Sequence, residues 1–262
     1  MVASLKFIAL AAIQGLAEFL PISSSGHLAL AEKLFGIESP GPSLELFLHL
    51  GTVFSVCIFY RKRLAQLATA FLRLEKDAVR YAAYVCVSAV PAALVHFCAK
   101  DRIADVFDAP RAIGCLLVAN GALLLLSCVT DALQRGRGGG ISLLRALAMG
   151  VGQGIAIFPG ISRSGTSIHA GRIAGMSPGK AAEFSFIMSL PAILGAMLLE
   201  LRSNPAGLTA GMCVSEAAIA TLVSGAVGCF ALKVVVKTLE KGRFWVFGVW
   251  CVAAGALAVS LA

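Results

Sequence analysis

The chain has 262 residues, of which 58% are hydrophobic and 14% are charged. Soluble domains carry about 25% charged residues, so this composition excludes an ordinary soluble protein and predicts a polytopic membrane protein. The net charge of +8 does not require nucleic acid as a partner, because the basic residues fall in short loops, as membrane proteins place them. The eight cysteines stand singly in the chain and are predicted to be small buried side chains without metal or disulfide.

In chain order, the first predicted element is an apolar segment at 3–35 that is interrupted by the polar stretch EFLPISSSGHL at 18–28. A second segment of this kind lies at 143–177 and contains PGISRSGTS. The remaining apolar stretches are uninterrupted, and a helix of about 20 residues crosses the hydrocarbon core of a bilayer. Six membrane spans are therefore predicted, at 44–60, 81–99, 112–130, 181–200, 216–235 and 244–261.

The loops between these elements differ in charge. Loops 61–80, 131–145 and 233–243 are rich in Lys and Arg, whereas the other loops have no such excess. The positive-inside rule places these three loops in the cytoplasm. Both interrupted segments must then enter and leave the membrane on one face, and both chain termini are predicted to lie outside.

The two interrupted segments resemble each other. QGLAEFLPISSSG at 14–26 aligns with QGIAIFPGISRSG at 153–165, with identity at eight of thirteen positions. We interpret this as an internal repeat, with residues 1–130 and 143–262 as the two halves of one membrane domain. The predicted fold is an all-α polytopic membrane protein with an inverted-topology repeat, six transmembrane helices and two re-entrant helical hairpins, whose broken helices meet near the midplane.

The second hairpin tip is predicted to bind an anion. Pro159 and Gly160 break the helix, and a new helix starts near Ser164. A helix N-terminus attracts anions, and the planar guanidinium of Arg163 suits phosphate. The alternative is that Arg163 only caps carbonyl groups of the facing tip. The predicted substrate-binding residues here are Ser162, Ser164, Gly165 and Thr166.

The first tip supplies acid–base and nucleophilic groups. Glu18 lies one helical turn after Gln14, so that both face the same way. Glu18 is predicted to bind a metal or transfer a proton, or else to accept structurally from Arg163. Ser24 and His27 are the two candidate nucleophiles, and the other of the pair would assist proton transfer. Gln14, Ser23 and Ser25 are predicted to bind substrate, with helix capping as the alternative for each serine.

These motifs resemble the undecaprenyl-pyrophosphate phosphatase family, also called bacitracin-resistance proteins. The similarity includes QGLAEFLPISSSGHL, LFLHLGTVFSVCIFYRKRL at 46–64, PGISRSGTS and AAEFSFIMSLPAILGA at 181–196. The resemblance implies an enzyme of the bacterial inner membrane that removes the terminal phosphate of undecaprenyl pyrophosphate. It also implies an active site open to the periplasm and a divalent cation, Mg²⁺ or Ca²⁺. A homodimer is left open.

By resemblance, the motifs of this family fall on Gln14 and Glu18, on Ser23, Ser24, Ser25 and His27, and on Pro159, Gly160, Ser162, Arg163 and Ser164. The predicted catalytic residues are Glu18, Ser24, His27 and Arg163, with Glu18 as the predicted metal ligand. Position 14 is Gln where many members have Glu, which puts a metal site of two carboxylates in doubt.

Two alternatives stay open at this stage. SRSGTSIH also fits part of the type-2 phosphatidic-acid phosphatase signature, which would make His169 the nucleophile and His27 the acid, but Ile173 replaces the aspartate of that signature. The second alternative is a transporter or flippase of a lipid phosphate or anion, because inverted repeats and broken helices are typical of transporters.

Overall fold

The computed structural model describes residues 2–37, 41–133, 138–203 and 213–262. These residues form helices throughout, and their sole β-type pairing is an isolated bridge between Gly139 and Met176. The fold is therefore all-α, as predicted. The helices are α1 Val2–Ala17, α2 Ser24–Phe35, α3 Gly41–Phe59, α4 Arg61–Leu72, α5 Lys76–Phe107, α6 Pro110–Leu125, α7 Ser127–Leu133, α8 Leu143–Ile155, α9 Arg163–Ile173, α10 Pro178–Ser203, α11 Val214–Glu240 and α12 Val246–Leu261.

Four helical segments in the described ranges are long and apolar enough to cross a membrane: Lys76–Ala99, Pro110–Leu133, Pro178–Arg202 and Val214–Glu240. They coincide with four of the six predicted spans. The predicted span 44–60 corresponds to α3, which is bent by 79° from α4. The predicted span 244–261 corresponds to α12, a shorter apolar helix. The chain is thus a multi-pass membrane protein, and the number of six spans stays a prediction.

The basic stretch 61–80 was predicted as a loop, and that prediction is wrong. Residues 61–72 form α4, and α5 already begins at Lys76. Leu64 and Leu67 of α4 pack against the core, while Arg61 and Lys62 are exposed. Such an amphipathic helix is typical of an element that lies in the membrane surface. The stretch was predicted as a loop because its many charged residues obscure the helical spacing of its apolar residues.

Two pairs of helices are separated by short breaks at 18–23 and 156–162. Ser23 and Gly160 have positive φ values of 70° and 105°, at which the backbone reverses into the next helix. Ser23 and Ser162 then cap α2 and α9, because each side chain accepts a backbone N–H three residues later, from Gly26 and Gly165. The serines at these places therefore start helices. Each broken pair also packs together, α1 on α2 and α8 on α9.

The two halves of the chain pack on each other reciprocally. α1 lies against α11, and α8 lies against α5. α6 packs antiparallel to α12, with Gly114 beside Gly255 and Gly121 beside Gly248. A Cβ at Gly114 would lie 2.9 Å from the Gly255 carbonyl oxygen, and one at Gly121 would lie 2.8 Å from that of Gly248. Small residues are how membrane helices bring their backbones this close.

The buried core surrounds the two breaks, and large apolar side chains cover the outside. Phe19, Phe184 and Phe186 are fully buried beside the first break and α10. Phe97 and Leu222, in contrast, are 78% and 71% exposed on the spanning helices. An apolar exterior of this kind suits lipid, and it leaves the polar residues of the breaks in the interior of the bundle.

Candidate active site

The breaks between α1 and α2 and between α8 and α9 meet inside the bundle. Arg163 Nη2 donates to Glu18 Oε1 in an ion pair that joins them. The backbone N–H of Gly160 donates to Ser23 Oγ at 3.0 Å. Residues 145 positions apart therefore form one polar centre, as the alignment of the two segments led us to expect.

Asn120 of α6 holds the two breaks together. Its Nδ2 donates to the Pro21 carbonyl oxygen at 3.0 Å, and its Oδ1 accepts from the Ser162 backbone N–H at 3.1 Å. Asn120 is 1% exposed, so water does not replace these bonds. Sequence reasoning missed this residue, although a lone Asn inside an apolar span was a usable signal.

We expect Asn120→Leu to destabilise the protein, because it leaves the Ser162 N–H buried without its acceptor and leaves the Pro21 carbonyl with only the weak thiol donor of Cys251, at 3.7 Å. Each unsatisfied group costs about 1–3 kcal/mol, and 1 kcal/mol lowers the unfolding temperature of a protein of this size by roughly 2–4 °C. Thermal unfolding in detergent measures the effect. Ser127→Ala is the matched control, since Ser127 is buried and its hydroxyl has no partner. Equal unfolding temperatures for the two variants would contradict the assigned role of Asn120.

The carboxylate of Glu18 organises the centre. Its Oε2 accepts from Ser24 Oγ at 2.8 Å and from Gln14 Nε2 at 3.1 Å, while Oε1 accepts from Arg163. His49 Nε2 lies 3.9 Å from Oε2. Ser24 is thus a hydroxyl that donates directly to a carboxylate, and this is the geometry in which a base activates a nucleophile.

A cavity of about 480 Å³ opens onto these groups. The two breaks form one end of this cavity. Helices α3, α5, α8 and α10 form its other walls, which combine apolar side chains, mostly from α10, with the polar side chains of Glu45, His49, Gln153 and Glu200. The polar residues that line the end formed by the breaks are Glu18, Ser23, Ser24, Ser25, Ser162 and Arg163.

The electrostatics of the polar end favour an anion. α2 begins at Ser24 and α9 begins at Arg163, so two helix N-termini face one cavity. The first N–H groups of a helix have no partner within it and carry partial positive charge. Arg163 adds a guanidinium that is paired with Glu18 through Nη2, while its buried Nη1 has no hydrogen-bond partner among the described residues. The site can therefore hold an anion with several oxygen atoms, such as a phosphate.

Other predicted substrate-binding residues lie behind the lining rather than in it. Gln14 is fully buried beneath Glu18. Ser164 Oγ lies 3.1 Å from Ser162 Oγ, and Thr166 Oγ1 donates to the Ser162 carbonyl at 2.9 Å. Gly165 is buried within the first turn of α9. These residues shape the second break, and direct contact with substrate stays a prediction for them.

His27 does not line the cavity. Its Nδ1 is 2.9 Å from the Ser23 carbonyl oxygen, and its Nε2 accepts from Trp250 Nε1 at 3.0 Å. The two rings are stacked, with centroids 6.3 Å apart. Both ring nitrogens are therefore occupied, and the imidazole braces the turn at Ser23 against α12.

His49 is a cavity residue to which sequence reasoning assigned no chemistry. Its Nδ1 lies 2.8 Å from the Glu45 carbonyl oxygen, while Nε2 faces Glu18. A polar residue in the middle of the predicted span 44–60 was the signal that could have identified it.

His169 lies away from the polar centre. It is buried in α9, it is not part of the cavity lining, and its electrostatic neighbours are Asp131 and Arg172. Arg172 binds Asp131 Oδ1 through two nitrogen atoms at 3.1 and 2.9 Å. The geometry gives no support to His169 as the nucleophile.

The residues present do not fit a divalent cation held by the protein. In the described part of the chain, no three His, Cys, Asp or Glu side chains come together as metal ligands. Both Glu18 oxygen atoms are engaged, one of them by the Arg163 guanidinium. A single carboxylate beside a cation offers too few of the oxygen ligands that Mg²⁺ or Ca²⁺ requires.

The fold and the site together define a polytopic membrane protein with a polar cavity between two broken helices. Comparison with known proteins identifies the family. The model of the family described as "Bacitracin resistance protein BacA" matches residues 7–257 of the chain. The chain belongs to this family.

Similar proteins named undecaprenyl-diphosphatase match the chain over nearly its whole length. The protein of Desulforapulum autotrophicum is 34% identical, with 96% of each chain covered. That of Desulfosudis oleivorans is 37% identical, with 95% of this chain and 94% of the relative covered. That of Syntrophotalea carbinolica is 38% identical, with 94% of each covered.

Proposed function

We propose that the protein is an integral-membrane phosphatase that hydrolyses undecaprenyl pyrophosphate to undecaprenyl phosphate and inorganic phosphate. This reaction recycles the carrier lipid of cell-wall synthesis and confers bacitracin resistance. The observation that carries the proposal is the Ser24–Glu18–Arg163 arrangement at the anion-binding end of the cavity. The names of the relatives, which match over almost the whole chain, agree with it.

Arg163, Ser24 and Glu18 have separate roles in the proposed reaction. Arg163 and the N-termini of α2 and α9 hold the terminal phosphate. Ser24 Oγ attacks its phosphorus while Glu18 takes the hydroxyl proton, so an O–P bond forms and the bond to the bridging oxygen breaks. Undecaprenyl phosphate leaves, and water then hydrolyses the phosphoserine and returns a proton to Ser24. Such transfer depends mainly on positioning and charge stabilisation.

The two histidines near the centre have different tasks. His27 fixes the Ser23 turn and thereby the position of Ser24, because its Nδ1 binds the Ser23 carbonyl. His49 lines the cavity beside Glu18 and exchanges protons between that carboxylate and cavity water. Ser24, rather than His27, is therefore the nucleophile in this proposal.

A divalent cation enters in this proposal as part of the substrate. A diphosphate chelates Mg²⁺ or Ca²⁺ through its own oxygen atoms, so the protein does not have to supply a set of metal ligands. The role of Glu18 is then that of a base and of an ion-pair partner for Arg163.

The cavity is proposed to open to the periplasm across the inner membrane of a bacterium. Its outer lining includes Glu45 of α3 and Glu200 of α10. These residues adjoin 36–43 and 201–215, the loops without an excess of basic residues. The basic stretch 61–80 begins at the other end of α3, and the positive-inside rule assigns that end to the cytoplasm. This orientation makes the two broken pairs re-entrant, and the reciprocal packing of the halves supports the inverted repeat.

Purified protein in detergent tests the function. With undecaprenyl pyrophosphate it is expected to release inorganic phosphate with turnover, and Glu18→Gln is expected to abolish the release. A transporter or flippase, the alternative that the broken helices favour, would bind the lipid and leave the diphosphate intact. Binding without phosphate release would therefore overturn the proposal.

A further inference from the structure

Gln153 of α8 is a buried amide without a hydrogen-bond partner in the described part of the chain. It is 4% exposed, its Nε2 and Oε1 are both buried and unbonded, and the residue belongs to the cavity lining. Burial of an unpaired amide destabilises a protein, and the large majority of buried polar side chains have a partner. The burial of Gln153 therefore has an energetic cost that no contact among the described residues offsets.

The internal repeat shows which hydrogen-bond acceptor the amide of Gln153 lacks. Gln153 aligns with Gln14 of the first half. Gln14 Nε2 donates to the carboxylate of Glu18, four residues later, at 3.1 Å. The residue four positions after Gln153 is Ile157. The second half keeps the glutamine and has an apolar side chain where the first half has the acceptor.

The position of Gln153 indicates which part of a ligand it meets. One helical turn later, Ala156 and Ile157 form apolar wall of the same cavity. These two residues begin the second break, which leads to Ser162 and Arg163 in the same cavity lining, and Arg163 Nη1 is likewise unpaired among the described residues. Gln153 thus shares the lining with apolar groups at the start of the break and with phosphate-binding groups at its end. In a prenyl diphosphate, the phosphate next to the prenyl chain adjoins both an apolar chain and the terminal phosphate.

We propose that Gln153 Nε2 donates to the prenyl-proximal phosphate and that Gln153 is thereby a specificity residue for diphosphates over monophosphates. This inference rests on the proposed phosphatase function. It assigns the terminal phosphate to Arg163 and the helix N-termini, and the proximal phosphate to Gln153. A hydrogen bond to a charged phosphate is stronger than one between neutral groups.

Gln153→Leu tests the inference because it is expected to weaken diphosphate binding without lowering the stability of the protein. The KM for undecaprenyl pyrophosphate is expected to rise about tenfold or more, while kcat changes by less than about threefold. The inhibition constant of inorganic pyrophosphate is expected to rise by a similar factor, and that of inorganic phosphate is expected to stay constant. The unfolding temperature of the ligand-free variant is expected to equal or exceed that of the wild type, because a buried unpaired amide has been removed.

A structural role for Gln153 predicts the reverse pattern, namely a lower unfolding temperature with unchanged KM and unchanged pyrophosphate inhibition, and that result would overturn the inference. Met149→Leu is the matched control, because Met149 is buried one turn earlier in α8 and lies outside the cavity lining. Met149→Leu is expected to keep the KM for undecaprenyl pyrophosphate and the inhibition constant of inorganic pyrophosphate. Should Gln153→Leu fail to fold, Gln153→Glu decides the matter, since a carboxylate of the same shape must raise KM by repelling the phosphate.

Failure of the inference and failure of the proposed function give different results. If the wild type releases phosphate and both Gln153 variants keep its KM, only the role of Gln153 is wrong. If the wild type releases none, the phosphatase function is wrong. Calorimetric titration of wild type and Gln153→Leu with inorganic pyrophosphate then decides the binding role, with equal affinities refuting it.

Discussion

Ser24→Ala is expected to lower kcat for undecaprenyl pyrophosphate on the order of 10³-fold or more. Ser24 is the hydroxyl that donates to Glu18, at 2.8 Å, so its removal deletes the nucleophile that the carboxylate activates. Ser25→Ala is the matched control, because Ser25 lines the same cavity without an assigned role in bond making. Its activity is expected to fall by no more than about tenfold, the cost of one hydrogen bond.

The covalent intermediate gives a sharper test of the same mechanism. Substrate labelled with ³²P in the terminal phosphate is mixed with enzyme and quenched within a turnover. An acid-stable label on a peptide that contains Ser24 is expected, since phosphoserine survives acid and phosphohistidine does not. An alkali-stable, acid-labile label on a peptide that contains His27 or His169 would refute Ser24 as the nucleophile. Full activity of Ser24→Ala would refute it as well.

The internal repeat gives the two halves similar helix breaks, and the reactive residues lie at aligned positions where the two halves differ. Ser23 and Ser162 are aligned, and both cap a helix at a break. The position equivalent to Glu18 is Ile157, and the position equivalent to Arg163 is Ser24. Base, nucleophile and phosphate ligand therefore come from positions at which the two halves differ. Two identical halves would bring like groups together and would make no ion pair.

The sequence was sufficient to find both helix breaks and to bring them together. The alignment of 14–26 with 153–165 identified two similar polar interruptions, and polar backbone in a membrane protein must lie against protein or water. Opposite orientation of the halves then required the two interruptions to meet. The ion pair between Glu18 and Arg163 is one of the alternatives that the sequence left open for Glu18.

Side-chain direction could not be predicted in the same way. His27 and Ser24 are three residues apart in α2, yet Ser24 lines the cavity and His27 turns towards Trp250 of α12. That contact spans 223 residues and depends on how α12 packs, which no local pattern contains. Asn120 likewise joins elements that are distant in sequence. A single polar residue in a span indicates a role, but it does not identify the partner.

Arg163→Lys is expected to lower kcat/KM by roughly 10²–10³-fold, and Arg163→Ala by more. The guanidinium binds Glu18 with Nη2, and its Nη1 has no partner within the described ranges of the chain. It can therefore bind the carboxylate and a phosphate oxygen at once. An ammonium is a single point charge without this planar fork, so lysine must give up one of the two contacts. Steady-state kinetics on detergent-purified variants measure the loss.

Loss of folding must be separated from loss of chemistry in these variants. Arg163→Ala leaves Glu18 buried without its counter-ion, which typically costs about 3–5 kcal/mol. The double variant Glu18→Gln with Arg163→Ala removes the uncompensated charge. It is expected to regain unfolding temperature relative to Arg163→Ala and to stay inactive.

Arg172→Lys in the same helix is the control for a buried arginine outside the cavity. Arg172 binds Asp131 with two nitrogen atoms, so the variant is expected to lose stability while its folded fraction keeps kcat/KM within about threefold. Equal losses of kcat/KM per folded molecule in Arg163→Lys and Arg172→Lys would contradict a phosphate-binding role. Arg163 would then be a structural partner of Glu18, and the positive charge that holds the terminal phosphate would have to come from the helix N-termini alone.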